Sequence, residues 1–314
     1  MNIRGIHAIY RYEMNRSFRT LIQSLVSPVL STILYFIVFG AAIGSRMDNI
    51  SNVSYGAFIV PGLIMLTVQM QSVNNASFGI YFPKFIGTTY ELLSAPLSFV
   101  EIVIGYVGAA TTKAFSIGLI ILCTSYLFVD LDIKYPFFML CFLFITCMTF
   151  SLLGFIIGIV SDNFEQLNIV PMLIITPLVF LGGSFYTIDM LPPFWQNFAL
   201  LNPIVYLISG FRWSFFGVGD VPIFTSIIFM LIFTSICISI IWYIFKTGNK
   251  IKNFKPEGAL EIRAAGNAFL KMQRRINNYI EQKTSFLAGI SHDLGTIITR
   301  IKLRLELLLS LIHI

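Results

Sequence analysis

The chain has 314 residues, of which 56% are hydrophobic and only 11% charged, with a formal net charge of +6. Soluble domains carry about 25% charged residues, so this composition, with a mean hydropathy of +0.82, excludes an ordinary soluble fold and points to a polytopic membrane protein. A pI near 9.1 can accompany nucleic-acid binding, but the charge borders apolar segments and forms no separate basic domain, so no nucleic-acid partner is expected.

The N-terminal stretch IHAIYRYEMNRSFRTLIQ repeats aromatic and basic residues at helical spacing. It predicts an amphipathic helix in the cytoplasmic interface, apolar face in lipid, with Arg4, Arg11, Arg16 and Arg19 snorkelling to phosphates. The first apolar run begins near Leu21 and is too long for the h-region of a cleavable signal peptide. A spanning helix needs roughly 20 mostly apolar residues, because no backbone group can stay unpaired in lipid. Segments 22–44, 57–77, 99–128, 136–160, 168–188 and 222–245 meet that requirement. Six crossings return the chain to its starting side. Lys246, Lys250, Lys252 and Lys255 agree, since basic flanks favour the cytoplasm, and both termini are expected there.

The second span carries Gln69, Gln71, Asn74 and Asn75. These amides either line a substrate path or hold helices together, at about 0.6 kcal/mol per interhelical bond. In the third span Lys113 and Glu101 stand roughly 18 Å apart along a helix, too far to pair. Glu101 is expected near the cytoplasmic boundary. Lys113 lies well inside, and a buried cation must face protein or water, either on the substrate path or in a structural contact. Gly154 and Gly158 allow close backbone approach, expected within the subunit in preference to the dimer contact, and the four cysteines lie in apolar runs without metal-ligand spacing. Between spans two and three, residues 78–98 are too polar to cross and too apolar for a free loop. A short cytoplasmic helix is expected there, offered either to a partner or to lipid.

Residues 182–222, before the last span, are nearly as apolar as a span but are broken by Pro192, Pro193 and Pro203, and carry Trp195, Asn202, Arg212 and Trp213. Irregular backbone at membrane depth survives only against protein or a cavity, and Trp settles at headgroup depth. This predicts two short helices dipping back into the outer leaflet, with Arg212 anchoring their return to the outer surface. The expected fold is therefore an all-α membrane protein: six transmembrane helices, an N-terminal interfacial helix, a re-entrant helical hairpin before the last span, and C-terminal cytoplasmic amphipathic helices.

LGGSFYTIDMLPPFWQNFALLNPIVYLISGFR (181–212) resembles the signature segment of ABC-2 type transport permeases, and IVPGLIM (59–65) and YELLSAPLS (90–98) occupy the places that family's pattern assigns them. The resemblance covers residues 1–250 and is nearest to small inner-membrane permeases of Gram-negative bacteria. It implies half of a homodimeric exporter in the bacterial inner membrane, surrounded by lipid. A separate cytoplasmic ABC ATPase subunit would dock against residues 80–96 and the N-terminal interfacial helix, with Lys84, Gly87, Glu91 and Pro96 as the implied coupling positions. The sequence contains no GxxxxGK[ST] phosphate loop, so ATP would be bound and hydrolysed by the partner, with no cofactor in this chain. Drug-, lipid- or glycan-like substrates all suit such a route.

From about residue 251 charges become frequent and apolar residues recur at helical spacing. Residues 251–308 resemble a HAMP end and the first dimerisation helix of an osmosensor-type histidine kinase. That resemblance implies His292 as phosphoacceptor, Asp293 as its acid–base neighbour and Thr296 as a phosphatase-chemistry position. The family pattern His-Asp-Leu-Arg-Thr-Pro-Leu-Thr has Gly295, Ile297 and Ile298 in place of Arg, Pro and Leu, which removes the bend after the histidine. No ATP-binding domain follows, so self-phosphorylation is not expected, though a membrane signalling protein with a phosphorelay histidine is the rival to a permease. GNKIKN (248–253) suits either family, and LSLIHI (309–314) resembles a translated transposon-end adapter, so the expected organisation is a permease joined as a chimera to a kinase fragment and an adapter-derived tail.

Overall fold

The computed structural model describes residues 2–20, 22–44, 50, 53–88, 95 and 97–247. The kinase-like stretch, with His292, Asp293 and Thr296, and the tail 309–314 lie outside the described residues, as do Glu91 and Pro96. Among the described residues the architecture is helical apart from one bridge between Ile50 and Val53.

Helix α1, Ile3–Arg19, starts at Asn2, whose side chain accepts from Gly5 N–H. Next comes a π-helical turn Ile22–Val26, helix α2 Ser27–Tyr35, and a π-helical run Phe36–Ile43. Pro28 at the start of α2 removes a donor from the ladder, and i→i+5 turns commonly take up such breaks. The axis over Ser24–Gly40 turns 90° from α1.

Helix α3, Tyr55–Phe85, has 31 residues, about 46 Å of helix against roughly 30 Å of hydrocarbon. The expected span 57–77 is thus the middle of a longer helix, and residues 78–85 continue it instead of starting a separate one. Aromatic packing prolongs it: Tyr81 and Phe85 meet Phe164 edge-on at 4.9 and 4.7 Å between ring centroids. The chain then turns at Gly87, whose φ of +80° suits glycine.

Helix α4, Phe99–Ser125, opens with a capping box between Ser98 and Glu101, which satisfies two otherwise orphaned donors. Helix α5, Pro136–Val160, has proline in its first turn, where the missing N–H costs nothing. Helix α6 covers Phe164–Leu181 with a π turn at Val170–Ile175 that contains Pro171. It begins before the expected 168 because Asn163 caps it, and ends before 188 where Gly183 takes φ +80°. Helices α7, Pro193–Leu200, and α8, Pro203–Phe216, each start on proline, and α8 stops at left-handed Gly217. Helix α9 is Ile223–Thr247.

By length and composition α3, α4, α5, α6 and α9 can each cross a membrane, and the bent pair α1–α2 would make six. Helix α3 is the hub, with 83% of its apolar window buried against 22% for α6 and for α9. Lipid tails are as apolar as leucine, so close packing, not water exclusion, holds spans together. Glycines supply it: a Cβ on Gly154 would enter the Val73 backbone, and one on Gly158 would come within 2.5 Å of the Ser77 carbonyl.

Candidate functional site

The polar residues expected in span two divide between two faces of α3. Gln69 and Gln71 are about 200° apart around a helix. Gln69 is fully buried and its amide atoms have no protein partner, whereas Gln71, Asn74 and Asn75 are half-exposed. Thr67, Gln71, Asn74 and exposed Phe78 follow one another at helical spacing along that second face. Asn75 donates its amide to the Gln71 carbonyl at 2.8 Å, and the Thr67 and Thr32 hydroxyls pair at 3.0 Å.

Lys113 has a structural partner that sequence reasoning missed. Its Nζ donates to Glu13 Oε2 at 3.2 Å, and the same carboxylate oxygen meets Arg16 at 2.8 Å. Glu13 is 1% exposed and Lys113 is 7% exposed. Helix α1 therefore does not rest only on lipid. Its Ile9–Glu13 face is buried against α4, and Arg16 lies over the Phe78 ring at 5.0 Å instead of pointing only to phosphates. The signal available was an acid three positions before a basic residue in an otherwise basic helix, but the partner lies 100 positions away. Lys113 and Asn75 do share a cavity of about 100 Å³ with Ser24 and Ser116. Glu101 also does more than mark a boundary: it is buried, accepts from Ser98 N–H at 2.8 Å, and accepts from Asn2 N–H, clamping the start of α1 to α4.

At the other end of α3, Lys84 donates to the Ser161 carbonyl at 2.7 Å and the Ile159 carbonyl at 3.3 Å, where α5 ends. A cation suits that negative pole. Asp162 adds an exposed ion pair at 3.6 Å. Gly87 has open space around it. These are the described members of the expected coupling set.

Around α7 and α8, Pro192 and Pro193 start the first helix, and exposed Trp195 packs on Phe194 and Phe198. Asn202 caps α8 through Ile204 N–H at 3.0 Å and donates to the Leu178 carbonyl, tying the hairpin to α6. Pro203 begins α8. Arg212 is 3% exposed and held inside the protein. It pairs with Asp220 at 2.7 Å, donates to the Gly183 carbonyl, and lies 4.1 Å from the Phe58 ring centroid. Asp220 also accepts from Ile188 N–H at 3.3 Å. Burial raises the Asp220 carboxyl above its ordinary range, and the Arg212 guanidinium opposes that rise. One clasp thus joins α3, the end of α6, the α6–α7 turn and α8. Among the described residues no three His, Cys, Asp or Glu side chains converge as metal ligands.

A helical bundle with five, or with the bent pair six, helices able to cross a membrane and with polar and charged groups turned inward fits the membrane body of a transport permease. The profile of the ABC-2 type transporter family matches residues 4–216, from α1 to the end of α8, and the chain belongs to that family. Over 241 residues it is 39% identical to the inner membrane transport permease YadH of Escherichia coli (strain K12), covering 76% of this chain and 94% of that protein. It is also 25% identical over 199 residues to Nodulation protein J of Neorhizobium galegae, covering 62% of this chain and 74% of the relative. Rhizobium leguminosarum bv. viciae has a Nodulation protein J that is 24% identical over 215 residues, covering 67% and 82%.

Proposed function

We propose that this chain is the membrane subunit of an ABC exporter of the bacterial inner membrane, working as a homodimer with a separate ATPase subunit. The similarity to an inner membrane transport permease supports that location. The half-exposed amides of Gln71, Asn74 and Asn75 on α3, whose most apolar stretch is 83% buried, are the observation that carries the reading. Polar groups at membrane depth are costly against lipid, so such a stripe belongs against a water-filled route or a second copy of the same stripe. The substrate would pass outward between two copies along this face and leave beside the α7–α8 hairpin, set in the outer leaflet. An amphipathic substrate with an apolar part, drug-, lipid- or glycan-like, fits a wall that is aromatic and apolar apart from these amides. Gln69 and Lys113 border the path from behind, as supports and not as contacts.

The ATPase would dock where Lys84 and Gly87 close α3, with Glu91 and Pro96 completing the coupling surface. Its ATP-driven closure would push on α3 directly and on α1 through the Glu13–Lys113 and Glu101–Asn2 ties to α4. The test is co-reconstitution of the chain with its ATPase in vesicles. Replacing Gln71 and Asn74 together by Leu should lower transport roughly five- to tenfold, the worth of two interhelical amide contacts, while the ATPase still copurifies. Gln71→Cys should cross-link between copies. Undiminished transport, or transport without the ATPase, would refute the proposal.

A further inference from the structure

We infer that the chain holds one anionic glycerophospholipid of the surrounding bilayer in the groove between α1, α4, α5 and α9. The groove has a volume of about 670 Å³ and is walled by Ile3 and Ile6 of α1, Val103 and Val107 of α4, Met148 of α5 and Ile241 of α9. Its α4 lining runs from Phe99 to Thr112, about 20 Å of helix, against the roughly 15 Å of hydrocarbon in one leaflet. An apolar cleft of that length on the flank of spanning helices matches an acyl chain. Left unfilled, its walls would forfeit their dispersion contacts.

The charge at one end identifies the headgroup. Trp242 lines the groove, packs edge-on against Phe99 at 5.1 Å, and is half-exposed, as suits headgroup depth. Lys246 stands one turn beyond it in the last turn of α9. Arg4 is exposed one turn before His7, which itself lines the groove. Neither Arg4 nor Lys246 has a carboxylate partner among the described residues. An apolar slot with cations at its mouth suits a phosphodiester lipid. A helix from a second copy would fill the slot but leave those cations without counter-charge. The inference does not depend on which substrate the permease moves.

The test is native mass spectrometry of the full chain released from nanodiscs with equal phosphatidylglycerol and phosphatidylcholine. Phosphatidylglycerol should be retained in preference. Arg4→Gln and Lys246→Gln should each weaken its retention about fivefold, whereas Arg19→Gln, at the far end of α1, should not. Gly108→Leu should displace lipid, because a Cβ there meets only Tyr10 at 4.0 Å and the rest of the side chain has room to fill the groove. Ile104→Trp, on the same wall, provides a second plug should the first variant misfold. Equal retention of the neutral lipid, unchanged retention in both plugged variants, or an equal loss in Arg19→Gln would overturn the inference. So would efficient disulfide cross-linking of Ile104→Cys between two copies, which would make the groove a protein contact.

Discussion

Glu13 and Lys113 show how a buried charge is tolerated in this bundle. The pair is nearly inaccessible, and Arg16 adds a second cation on the same carboxylate oxygen at 2.8 Å. Removing one member of a buried pair costs about 3–5 kcal/mol, because the remaining charge is left uncompensated. Glu13→Gln is therefore expected to lower the thermal unfolding midpoint of the detergent-solubilised chain sharply. Adding Lys113→Met should recover part of the loss, since an apolar side chain needs no partner. A double variant as unstable as the single one would show that Glu13 serves Arg16 alone. Lys113 was visible in the sequence as a residue needing a partner. Glu13 was not, because an acid in a basic amphipathic helix looks solvated until the helix is seen lying against α4. The partner of Arg212 was hidden for the same reason: Asp220 sits in a short Gly-rich loop that resembles any outer turn.

Among the elements, α3 and α5 depend most on small residues. Gly154 lies directly against the backbone of Val73, so even a methyl group there forces the helices apart. Overpacking of this kind typically costs about 1–3 kcal/mol. Gly154→Ala should lower the unfolding midpoint, while Gly40→Ala, whose Cβ would meet only the Gly56 Cα at 3.8 Å, should leave it unchanged. Equal midpoints for the two variants would contradict the packing of α5 on α3. The sequence spacing correctly marked Gly154 and Gly158 as a close-approach face within the subunit. It misplaced the ends of α3 and α6, because hydropathy reports where lipid is, whereas the helices end where caps, prolines, ring packing and positive-φ glycines dictate. The extra turns of α3 are held by Phe164 and by the Lys84 bonds to α5. Both contacts come from residues more than seventy positions away in sequence.

For the whole molecule, the charge bias around the spans gives an orientation that can be measured. In a variant without native cysteines, Met190→Cys, in the exposed turn before α7, should react with an impermeant maleimide on intact cells. Phe85→Cys and Lys246→Cys should react only after permeabilisation. The reverse pattern would invert the topology and place the basic flanks outside. The family was legible by resemblance of its signature segment. The helical class, the approximate spans and the paired prolines before the last span could be read from the chain itself, because each follows from local composition: length against bilayer thickness, proline without a donor, Trp at the interface. The pairings that make those helices one permease body could not. Which face of α3 stays half-open, which acid neutralises Lys113, and which loop receives Arg212 depend on residues distant in sequence meeting in space, and only the packed bundle brings them within bonding distance.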